Sequence, residues 1–121
     1  MGYMRHHAIV VSSWDGALIV KARAKAEKAF SGVTEVSKVT SGAINGYRSF
    51  FVAPDGSKEG WGDSDLGDEA RDSFILWLRQ QVETDGSSCI KWIEVQFGDD
   101  EGKTRVLQHS EDDKFCEGGT R

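Results

Sequence analysis

Residues 62–82 read GDSDLGDEARDSFILWLRQQV, and the fold turns on whether this run is a helix. Ala70, Phe74, Trp77, Leu78 and Gln81 recur every three or four positions, with Ile75 and Val82 flanking, which makes one helical face apolar. Asp65 or Asp68 is placed to cap its start, and the following DGSS breaks it. On its N-terminal side, Tyr47 to Val52 is a strand that Pro54-Asp55-Gly56 turns away. On its C-terminal side, Ile90 to Phe97 and Thr104 to His109 are two strands joined by GDDEG, a linker of hairpin length and chemistry.

The first third of the chain has the same rhythm. In HHAIVVSSW, residues 6–14, His7, Ile9 and Val11 lie on one side and Ala8, Val10 and Ser12 on the other, as in a central strand. Asp15 caps a helix in which Leu18, Ile19, Ala22, Ala26, Ala29 and Phe30 share a face, opposite Lys21, Lys25 and Lys28. Ser31-Gly32 closes it with a left-handed C-terminal residue. The β-branched run Val33 to Val39 is expected to be a weaker strand, with SGAING, residues 41–46, turning into the next one.

The resulting order, βαββαββ, predicts an α+β fold: a two-layer sandwich of an antiparallel-rich sheet with two helices on one face. A ferredoxin-like arrangement with an extra terminal hairpin is the leading topology. Trp92 alternates with Ile93, and Phe50 with Phe51, so both sheet faces carry large groups. A bare apolar second face favours association, and a homodimer or larger homo-oligomer is expected.

Composition limits the function. A chain of 121 residues, 38% hydrophobic and 29% charged, is expected to form one domain over 1–110, followed by a polar, flexible tail over 111–121. A formal net charge of −5 argues against general nucleic-acid binding, which depends on Lys and Arg neutralising phosphates. No apolar run approaches the roughly 18 residues of a membrane span, and residues 1–11 lack a signal-peptide h-region, so no membrane partner and a cytoplasmic location are expected. The two cysteines, Cys89 and Cys116, are read as reduced thiols.

Catalytic patterns are weak. Adjacent His6 and His7 point to opposite faces of a strand, so they form no metal pair. Asp63, Asp65 and Asp68 lack the Gly and bidentate Glu of a calcium loop. Ser12-Ser13 and Ser87-Ser88 lack a nucleophile elbow, Cys89 and Cys116 lack a catalytic signature, and GAING lacks the Lys and helix of a phosphate loop. No catalytic residue, metal or cofactor is expected, and the residues favour binding over catalysis.

Trp14 and Trp61 stand at element ends beside Asp15 and the Gly60 and Gly62 pair, where a ring stays partly exposed. With Asn45, Arg48, Ser57 and Lys58 near them in sequence, Trp14, Asn45, Arg48, Lys58 and Trp61 are the candidate ligand-binding residues, combining aromatic stacking with cations. The competing reading has Trp61 folding back as a lid on the core.

The runs RHHAIVVSSWD (5–15), INGYRSFFVAPDGSKEGW (44–61) and WIEVQFGDDEG (92–102) resemble small phage- and prophage-encoded proteins of unknown function. The resemblance implies a sequestering role, aimed at a host protein or at a nucleotide signal of bacterial immunity. Two readings follow: an oligomer that holds a phosphorylated or nucleotide-type small ligand, or an inhibitor whose acidic tail and hairpin dock on a basic host protein.

Overall fold

The computed structural model describes residues 6–56, 62–81, 88–98 and 102–111, apart from the side chains of 63 and 64. The elements are β1 (His6–Ser13), α1 (Gly16–Ala29), β2 (Thr40–Ser41), β3 (Arg48–Val52), α2 (Gly62–Arg79), β4 (Ile90–Phe97) and β5 (Arg105–His109). One five-stranded sheet has the order β2-β3-β1-β4-β5, antiparallel throughout. The first four form the ferredoxin-like order, and β5 adds the hairpin beside β4.

Both helices cover one side of this sheet. Ile9 and Val11 of β1 sit between Val52 and Phe50 of β3 and Glu94 and Trp92 of β4, and these inward residues meet Ile19, Ala22 and Ala26 of α1. The small alanines let α1 lie close. From α2, Ala70, Phe74, Ile75 and Leu78 complete the core. Phe74 is its centre, with ring centroids 5.9 Å from Phe30, 6.5 Å from Phe50 and 6.4 Å from Trp77.

Two expectations are corrected. Val33 to Val39 is not a strand: only Val36 forms an isolated bridge, to Val52. Arg23 of α1 takes the carbonyls of Ser37 at 2.7 Å and Val36 at 3.4 Å, while the Ser37 hydroxyl replaces a main-chain acceptor for the Phe51 N–H at 2.8 Å. Main-chain bonds still run from the Ser37 N–H to the Phe51 carbonyl at 2.9 Å and from the Ala53 N–H to the Glu35 carbonyl at 3.1 Å, but side chains take the Ser37 carbonyl and the Phe51 N–H that a longer ladder would use, and pairing resumes at Thr40–Ser41. The second helix begins at Gly62, so Asp65 and Asp68 lie inside it rather than at its cap. Trp77 is half-buried and packs against the core from its margin, while Phe74 is fully buried.

Other details agree with the sequence. Asp15 Oδ1 accepts from the Leu18 N–H at 3.1 Å as the N-cap of α1. Asn45 and Gly46, at φ 61° and 66°, make the Asn-Gly turn between β2 and β3, a conformation that side chains other than Asn and Asp adopt at a cost. Among the described residues, no helix is long and apolar enough to cross a membrane.

Candidate functional site

At one end of β1 the chain turns from Ser13 through Trp14 and Asp15 into α1. Register pairs Ser13 with Arg48, the first residue of β3, so Arg48 reaches the same corner from the neighbouring strand. Its guanidinium lies against the Cα of Gly16: a Cβ at that position would collide with Nη1. Glycine here leaves room for the guanidinium, which a larger residue would push aside. Arg48 makes no hydrogen bond or ion pair with the described residues, although it is half-buried. Trp14 is 57% exposed. A fixed planar cation and an available aromatic ring thus share one corner, at the positive end of a helix dipole.

Asp15 sets a limit on this corner. Its carboxylate is engaged by the Leu18 N–H, and its own N–H donates to Ser13 Oγ at 3.0 Å. One negative charge therefore already sits on the helix end.

The structure places Arg48 against Gly16, two residues along the chain from Trp14, and leaves Asn45 at the tip of the β2–β3 turn, where turn geometry accounts for it. Lys58 and Trp61, with Ser57, lie outside the described residues, as does Cys116. Cys89 is half-buried, and its carbonyl accepts from Ser13 Oγ at 2.7 Å.

The opposite end of β1 holds a polar cluster that sequence reasoning missed. Glu94, 5% exposed, faces His7 Nδ1 at 3.6 Å and Arg71 Nε at 3.8 Å, and accepts from Gln108 Nε2 at 2.9 Å. Arg71, 6% exposed, also donates to Asp68 at 2.6 Å. Arg79 donates to Gln108 at 2.9 Å and stacks over Trp92, 5.0 Å from the ring centroid. Burial pushes the Glu94 carboxyl upward, but the contacts from His7 and Gln108 and the charges of His7 and Arg71 outweigh it, holding its pKa below the ordinary 4.5. The available signal was alternation: Glu94 and Gln96 share the face of Ile90 and Trp92, so a charged residue falls on the inner side. Enclosed in the packed layer and surrounded by donors, Glu94 ties α2 to the sheet.

His6 and His7 do take opposite faces: His6 packs on the Phe97 ring at 5.7 Å, and His7 turns to Glu94. Among the described residues, no three His, Cys, Asp or Glu side chains gather where a metal would bind. Compared with known proteins, the chain matches no family, no curated protein and no solved structure.

Proposed function

We propose that this protein binds a small phosphorylated ligand of the nucleotide type at the β1–α1 corner, with the phosphate on Arg48 and the base against Trp14. The observation that carries this reading is the state of Arg48. A half-buried guanidinium without a partner among the described residues has given up part of its hydration without gaining an ion pair, and a phosphate supplies the missing acceptor. The exposed Trp14 ring adds a flat surface of the kind on which bases stack. With the resemblance to phage proteins, the reading becomes sequestration of a nucleotide signal rather than its turnover.

A thermal-shift panel of linear and cyclic nucleotides, with inorganic phosphate alongside, tests it. Binding raises the melting temperature by mass action, and a nucleotide should raise it more than phosphate does. Arg48→Ala should then weaken binding by about 2 kcal/mol and Trp14→Ala by about 1 to 3 kcal/mol. A panel without any response, or full binding by Arg48→Ala, overturns the site. Salt-sensitive capture of a basic protein in its place would favour the inhibitor reading.

A further inference from the structure

The outer face of the sheet, which neither helix covers, has a shape that fits itself. One row of residues crosses it from β3 to β5 as Phe51, Val10, Ile93 and His109. Phe51 is 44% exposed, Val10 40%, and Val106 of the next row 51%. On the β5 side of Val10 the face is hollow, an open depression of about 600 Å³ lined by Val10, Ile93 and Val106 together with His109 and the ion-paired Lys91 and Glu111. On the β3 side, Phe51 stands as a large ring. A knob and a hollow therefore flank the central strand in one row.

That arrangement is self-complementary under a two-fold axis. β1 is the middle strand of five, so rotating a second copy about an axis along β1 places its β3 over β4 of the first. Rows are preserved, Val10 meets Val10, and Phe51 of each copy lies over Ile93 of the other, at the hollow. Such reciprocal contact is the mark of an isologous dimer.

Charge and area agree. The chain carries −5 overall, yet Arg48, Glu94 and Arg105 of the strands take the helix-side register, and the outward Lys91 is balanced by Glu111 at 3.0 Å. Among the described residues, two acidic copies can meet here without opposing like charges, and the outward carboxylate of Glu111 is already engaged by Lys91. β1 and β4 are eight residues each and β3 and β5 five, about 26 Å and 17 Å long, and with strands about 4.8 Å apart the four give about 400 Å² in projection. With side-chain relief, that comes near the roughly 600 Å² per partner at the lower end of stable interfaces.

We infer that this protein is a homodimer closed through the outer faces of its two sheets, with Phe51 of each copy seated in the hollow lined by Val10, Ile93 and Val106 of the other. The inference is independent of any ligand at the β1–α1 corner.

Light scattering on the full chain at about 100 µM should give twice the 13.3 kDa of one chain. Phe51→Asp and Val106→Asp, each at an exposed position, should return the mass to 13.3 kDa while the far-ultraviolet circular dichroism keeps its folded form. Each should raise the dimer dissociation constant at least about 100-fold, as an uncompensated charge in an apolar contact does. A wild-type mass of 13.3 kDa overturns the dimer. Should either variant be folded and still dimeric, this face is not the interface.

Discussion

Arg71 and Arg48 occupy opposite ends of β1, and each lies against a helix glycine. Arg71 approaches Gly67 of α2, where a Cβ would come within 3.2 Å of its Nη1, and Arg48 lies on Gly16 of α1. Their partners separate them. Arg71 is sealed between Asp68 and Glu94, whereas Arg48 is half-buried without an acidic partner among the described residues. The same side chain, on a helix in one case and a strand in the other, thus serves as a tie at one end and as an available cation at the other. Which role it takes depends on whether the strand opposite supplies a carboxylate: β4 carries Glu94 at one end of the sheet, and Ser13 occupies the register position beside Arg48 at the other.

The comparison breaks first at Arg71. Arg71→Ala leaves Glu94 buried without its guanidinium and should cost about 3 to 5 kcal/mol in urea unfolding. A loss below about 1 kcal/mol would show that His7 and Gln108 alone satisfy the carboxylate.

Acid sharpens the same point. Because the folded pKa of Glu94 lies below its unfolded value, its contribution is complete above the ordinary value of 4.5 and is lost as pH falls through the folded value. The stability gap between wild type and Glu94→Gln should therefore be widest near neutrality and narrow below pH 4.5. An unchanged gap from pH 6 to about pH 3 would mean that Glu94 gains nothing from its charge.

The smallest expected effect belongs to Arg48. Without an acid paired to it among the described residues, Arg48→Ala should change unfolding stability by less than about 0.5 kcal/mol. A cost as large as that of Arg71→Ala would make the two ends equivalent and remove the reason to assign a ligand to one of them.

Legibility followed the kind of signal each region carries. The helix over Gly62–Arg79 and the strand over Ile90–Phe97 were readable because burial of one face imposes a period on the sequence, and both elements keep that period. Asp15 was readable as a cap because the bond it makes is to a residue three positions away. Val33 to Val39 misled because its β-branched composition is a statement of propensity, while Arg23, fourteen residues before Ser37, takes the carbonyl that pairing would need. Trp14 and Arg48 were both picked out as candidates, but the contact of Arg48 with Gly16 has no trace in local sequence, since it depends on the pairing of β1 with β3.

The amino-acid sequence by itself determined the element types, their order and the two-layer α+β architecture, because periodicity, caps and turns are short-range consequences of backbone geometry. Only the tertiary structure decided that Glu94 is inside and held by Arg71, that Arg48 has no such acid among the described residues, and that a ring and a hollow flank β1 on the outer face. Each of these depends on which strands become neighbours and in what register, and that choice is made by residues distant in the chain burying a common core.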